Sequence, residues 1–115
     1  MRTPAAQNDP DLAIDWRAAH AAVDLISGKW DLLVVAELTG RPRQYNDLLH
    51  TTGLDGKQLT RALRRLQNAD LVKRMMQGSG QSARVFYSLT PHGRRLFVPL
   101  HALAEWWAHS SAADM

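Results

Sequence analysis

The chain has 115 residues, 45% of them hydrophobic, with 14 Lys/Arg against 11 Asp/Glu and no cysteine. That length suits one domain with a modest core, and the lack of Cys excludes disulfides, a thiol switch and Cys-bound zinc. No apolar run approaches the ~20 residues of a membrane span, and the N-terminal stretch lacks the apolar segment of a secretory leader, so a cytoplasmic protein without membrane contact is expected by elimination.

Residues 1–11, with two Pro and several small polar residues, read as a flexible arm. Leu12 to Ile26 reads as a first helix, apolar at Leu12, Ile14, Trp16, Val23, Leu25 and Ile26, and Ser27-Gly28 breaks it. Lys29 to Thr39 reads as a second helix, ended by Gly40-Arg41-Pro42. A short third helix is expected from about Gln44 to Thr51, with Gly53 as its C-cap. Asp55 is placed to cap a fourth, Gly56 to Ala69, in which Leu59, Leu63 and Leu66 recur at the spacing of a buried stripe. After Leu71 the period changes. Val72 to Met76 and Arg84 to Leu89 read as the strands of a hairpin, joined by a turn-rich tip from Gln77 to Ser82. Thr90-Pro91 then supplies a cap and a first helical residue. The last helix runs to about His109, with Pro99 expected to kink or split it, and residues 110–115 read as a flexible tail.

This order predicts a mainly α fold with a small β-hairpin. Helices three and four, joined by a short Gly-containing turn, have the form of a helix-turn-helix, in which the second helix enters the major groove. Charge agrees with that use. Residues 56–100 hold nine Lys/Arg against Asp70 alone, whereas 1–55 and 101–115 are net acidic. A basic block favours a polyanion, although an Arg-rich solvated face has the same composition. On the fourth helix Lys57, Gln58, Thr60, Arg61, Arg64 and Arg65 lie away from the leucine stripe, and Arg and Gln are the side chains that pair with guanine and adenine edges. An ordinary amphipathic surface helix is the alternative. Arg41, Arg43, Gln44 and Tyr45 at the start of helix three, and Lys73, Arg74, Ser79, Gln81 and Arg84 on the hairpin, are candidates for the DNA backbone. For the hairpin tip alone, a plain surface loop is the better reading.

Catalytic constellations are lacking. The five His are scattered, no H-E-x-x-H, G-x-S-x-G or phosphate-loop pattern occurs, and neither an enzyme, a metal site nor a cofactor is expected. Leu12, Ile14, Trp16, Phe97, Leu100, Leu103, Trp106 and Trp107 are more bulky apolar groups than so small a chain can easily cover, so the terminal helices are expected to form a homodimer interface, with the chain's own core as the alternative.

Several blocks resemble one family. Ala22-Val23-Asp24-Leu25-Ile26-Ser27-Gly28-Lys29-Trp30, Gly40-Arg41-Pro42-Arg43-Gln44-Tyr45, Lys57-Gln58-Leu59-Thr60 with Leu63-Arg64-Arg65-Leu66, and Val85-Phe86-Tyr87-Ser88-Leu89-Thr90 are similar, in this order, to segments of the HxlR-type (MarR-related) winged-helix transcriptional regulators. The resemblance spans about residues 12–108. It implies a winged helix-turn-helix over 12–109, with dimerisation helices at both ends, that binds double-stranded DNA through a groove helix and a flanking wing. It departs at one place: many members carry a Cys shortly before the Gly-Lys-Trp segment, used in some for redox or electrophile sensing, and here Arg17 stands there. The leading expectation is a repressor on an inverted-repeat operator, with a small-molecule effector left open. The alternatives are a winged-helix module whose basic face binds an acidic protein, and, more remotely, a small ligand-binding protein.

Overall fold

The computed structural model describes residues 13–113. Helix α1 spans Trp16–Ile26 and begins later than expected, because Asp15 caps it: its carboxylate accepts from the Ala18 amide at 3.1 Å. Leu12, expected at its start, lies outside the described residues. Helix α2 is Asp31–Glu37, shorter at both ends than the expected Lys29 to Thr39. A turn closed by Asp31 N to Gly28 O precedes it, and Thr39 turns its amide and hydroxyl back onto Ala36 O after it.

A two-residue strand β1, Arg43–Gln44, leads into α3, Tyr45–Thr52. Gly53 ends α3 in the left-handed region at φ 72, with its amide on Leu49 O. Asp55 then forms a reciprocal box with Gln58: the Gln58 amide donates to Asp55 at 2.8 Å and the Asp55 amide to the Gln58 side chain at 3.1 Å. This cap starts α4, Gly56–Asn68. Strands β2, Val72–Gln77, and β3, Arg84–Leu89, pair antiparallel from Val72 opposite Leu89 out to Gln77 opposite Arg84. A 3-10 turn at Gly80–Ser82 sits in the tip. Strand β1 joins the other edge of β3, giving the order β1-β3-β2. Two residues carry no readable β period, so β1 was not expected; its pairing with β3 creates it.

Thr90 caps α5, Pro91–Arg95, and α6 follows as Phe97–Ala113. The expected break by Pro99 falls at Leu96. Pro99 has no amide to return to Arg95 O and its ring crowds that carbonyl, so the chain ends one helix and starts the next, with Pro99 in the new first turn. Helix α6 continues to Ala113, past the expected end at His109.

The core is built by α2, α3, α4 and the sheet. Val34, Val35, Leu38, Leu48, Leu59, Leu63, Leu66, Val72 and Leu89 are all buried in it. Helix α1 buries no residue, and residues 101–109 of α6 are all exposed. Gly93 joins α5 to the start of β2: a Cβ there would stand 2.2 Å from Leu71 O, which already accepts the Thr90 amide at 3.0 Å. No side chain fits between these two backbones. Gly93→Ala is therefore expected to lower stability by ~2–3 kcal/mol, as overpacking does. Urea unfolding followed by circular dichroism checks this; a midpoint equal to that of the unmodified chain contradicts it.

Candidate nucleic-acid interface

Helix α4 is sharply divided. Leu59, Ala62, Leu63 and Leu66 are buried, and Lys57, Arg61, Arg64 and Asn68 are exposed on the opposite side. At ~100° per residue the second set shares one face. Among the described residues, no hydrogen bond or ion pair of the protein engages Lys57, Arg61 or Arg64. These three cations project from the second helix of a helix-turn-helix, and no ion pair among the described residues neutralises them.

The flanks of the helix are occupied differently. Thr60 is half-buried and its hydroxyl meets the Tyr45 hydroxyl at 3.1 Å, while Tyr45 also donates to Gly56 O at 3.1 Å. Tyr45 thus ties α3 to the first turns of α4. Gln58 spends its side-chain oxygen on the cap and keeps its amide nitrogen. Arg65 departs from the expectation of a base reader. Its Nε meets Asp31 Oδ2 at 2.8 Å, and its Nη2 donates to Asp24 O at 3.2 Å and Leu25 O at 3.0 Å. The guanidinium is turned along the protein towards α1 and α2, because Asp31 is buried and needs a counter-charge.

Around this helix the other expected positions divide too. Arg43 is half-buried and donates from Nε to Glu37 O at 3.2 Å. Arg41 is exposed, and Gln44 is half-buried as the residue preceding α3. On the hairpin the pleat separates the cations, since neighbouring side chains leave opposite faces. Lys73 shares a face with Arg84, whereas Arg74 stands opposite Tyr87, which on its other side pairs with Arg43. Arg84 folds its Nη1 onto Gln81 O and Ala83 O at 3.1 and 3.0 Å, which holds the tip turn. Ser79 O accepts the Ser82 hydroxyl, and the Ser79 and Gln81 side chains remain exposed.

One residue was missed. Lys29, in the loop before α2, stands with Trp30, Gln58 and Arg61 around a crevice of about 250 Å³ beside α4. Its Nζ lies 4.7 Å from the centre of the Trp30 ring. Nothing in the local sequence shows that this loop runs along the fourth helix; only the fold brings Lys29 next to Arg61.

The apolar residues expected at an interface fall into two groups. Trp106 and Trp107 are 61% and 63% exposed, with ring centres 6.0 Å apart, and Ile14, Trp16 and Leu103 are exposed as well. Phe97 departs from the expectation: it packs against the chain's own core. Leu100 is half-buried, and Leu12 is outside the described residues. Val23 and Val98, at 58% and 77%, belong with the exposed group.

Comparison with known proteins agrees with this geometry. Residues 25–114 match the family model described as HxlR-like helix-turn-helix. The chain is 32% identical over 96 residues to an uncharacterised HTH-type transcriptional regulator of Synechocystis, covering 80% of this chain and 70% of that one. A second such regulator, from Methanothermobacter thermautotrophicus, is 31% identical over 90 residues, covering 77% and 68%. Among solved structures, a regulator of the MarR family from Enterococcus faecalis superposes with a TM-score of 0.78 at 28% identity, covering 89% of this chain and 93% of that one. These are transcriptional regulators and not enzymes. With its helix-turn-helix, its three-stranded wing and these relatives, the chain belongs to the HxlR-like helix-turn-helix family of transcriptional regulators.

Proposed function

We propose that the chain acts in the cytoplasm as a homodimeric repressor that places α4 of each subunit in successive major grooves of an inverted-repeat operator. The observation that carries this is the unneutralised row Lys57, Arg61 and Arg64, opposite the buried stripe of the same helix. Gln58 and Thr60 flank the row, their hydrogen bonds to the protein limiting how far they can turn. Arg41, Arg43, Gln44 and Tyr45 at the entry to α3, with Lys29 beside Arg61, hold the phosphate backbone. The wing adds Lys73, Ser79, Gln81 and Arg84, with Arg74 reaching the backbone from the opposite face of the sheet. Occupancy of such a site obstructs polymerase by bulk alone, which is the simplest action for a chain of this size. Any effector acts without thiol chemistry on this chain, since it contains no Cys.

Dimerisation follows from the exposed apolar residues of α1 and α6, which a partner's equivalent helices cover. Light scattering is expected to give about twice the chain mass of 12.9 kDa. Trp106→Glu with Trp107→Glu is expected to give a monomer of unchanged circular dichroism. A wild-type monomer across the micromolar range contradicts the interface.

Readers and holders differ in what their loss does. Arg61→Ala or Arg64→Ala leaves the core intact and is expected to cost ~1–3 kcal/mol per contact and to relax preference at particular base pairs. Arg84→Ala is expected to weaken all sequences alike and to lower the salt slope by about one unit per lost phosphate contact. The measurement is binding to operator and to scrambled duplex at several salt concentrations. If Arg61→Ala and Arg64→Ala bind operator as the unmodified chain does, α4 is not the reader, and an acidic protein becomes the better partner for the basic face.

A further inference from the structure

The side chain of Asp31 is 3% exposed, and its carboxylate needs a cation inside the fold. Among the described residues only Arg65 supplies one. The loop before α2 is shaped around this carboxylate: a Cβ at Gly28 would stand 2.5 Å from Asp31 Oδ2. The same guanidinium reaches a third element. Its Nη2 binds the carbonyls of Asp24 and Leu25 in the last turn of α1, where helix carbonyls lack intrahelical partners and the dipole is negative; Asp24 O also accepts the Ser27 hydroxyl at 2.9 Å. Helix α1 buries no residue of its own; Ala19, Leu25 and Ile26 are half-buried, and of these Leu25 packs against the core. Its attachment to α4 therefore runs largely through this one fork.

We infer that Arg65 is a positioning residue: it fixes the angle between the dimerising helix α1 and the reading helix α4, and so sets the spacing of half-sites that the dimer accepts. This rests on the dimeric, DNA-reading function proposed above. The leverage is sufficient. With 11 residues, α1 is ~16 Å long at ~1.5 Å per residue. A tilt of roughly 10° at the joint moves its far end by ~3 Å, close to the ~3.4 Å rise of one base pair. Arginine suits the joint because its planar fork serves a carboxylate through Nε and carbonyls through Nη2 together, whereas a lysine ammonium keeps the charge without the fork.

The test uses full-length Arg65→Lys, with Asp31→Asn as a second variant should the first not fold. The DNA is the duplex that the unmodified chain selects from a random 40-base-pair pool, that duplex with one or two base pairs added between half-sites, and one half-site alone. The unmodified chain is expected to lose roughly 10-fold or more in affinity with each spacing change, as rigid two-site engagement requires. Arg65→Lys is expected to bind the half-site within about 2-fold of the unmodified chain, and to discriminate among spacings by less than about 3-fold. Hydrogen exchange supplies a readout independent of DNA: peptides covering α1 exchange faster in the variant, while those of β2 and β3 keep their protection. Unchanged spacing discrimination, or unchanged exchange in α1, overturns the inference. If the unmodified chain is monomeric or selects no DNA, the proposed function falls and the spacing role with it, and the exchange result alone decides whether Arg65 joins α1 to α4.

Discussion

The buried face of α4 sets how the rest of this fold is arranged. Leu59, Leu63 and Leu66 are buried at successive turns against α2, α3 and the sheet. Each such leucine contributes ~1.5–3 kcal/mol when removed from water, so rolling the helix would cost a large share of the ~5–15 kcal/mol by which a domain is stable. That burial determines which residues face outward. Because the apolar stripe is inward, Lys57, Arg61 and Arg64 have no alternative to the outer face. The Asp55–Gln58 box fixes where the helix begins, and Tyr45 fixes its distance from α3 through Gly56 and Thr60. The proposed reading helix is therefore held in place by its own chain, which would lower the entropy lost on binding.

The terminal helices are attached by different means. Leu25, Leu96 and Phe97 pack against the edge of the core, and polar and backbone-to-backbone joints stand beside these contacts. On one side Arg65 spans Asp31 and the end of α1; on the other, Thr90 and Gly93 bring α5 against Leu71 O. Polar joints are directional, and so they hold an angle better than an apolar contact of equal strength, which tolerates sliding. For the dimer proposed here, matching two helices to a helical repeat depends on angles more than on extra stability.

Much of this was legible in the sequence because local signals agreed with one another. The caps at Asp55 and Thr90, the C-cap at Gly53 and the leucine period of α4 are short-range chemistry, and their elements lie within a residue or two of the expected bounds. The hairpin was readable from alternation, and the split near Pro99 from the missing amide. What stayed hidden depends on distant partners. Strand β1 exists only because β3 is beside it. Asp15 displaced the start of α1, since a cap competes with a run of helix-forming residues that has no sharp beginning. On the helical wheel Arg65 flanks the face of Arg61 and Arg64, and only the packing of α1 and α2 beside α4 shows that a buried carboxylate from 34 positions away claims it. Lys29 was hidden for the same reason, and Phe97 was assigned to an interface because an excess of bulky apolar groups does not say which of them the chain's own core takes up.

The central claim is that the exposed face of α4 lies in the major groove and that two copies do so together. Dimethyl sulfate reacts with guanine N7, which lines the major groove only, so its footprint on the selected operator reports that contact directly. The account predicts two patches of N7 protection centred ~10 base pairs apart, with Arg61→Ala and Arg64→Ala each removing protection symmetrically from both patches. Full N7 reactivity under saturating protein, or a single patch that these substitutions leave unchanged, would contradict it.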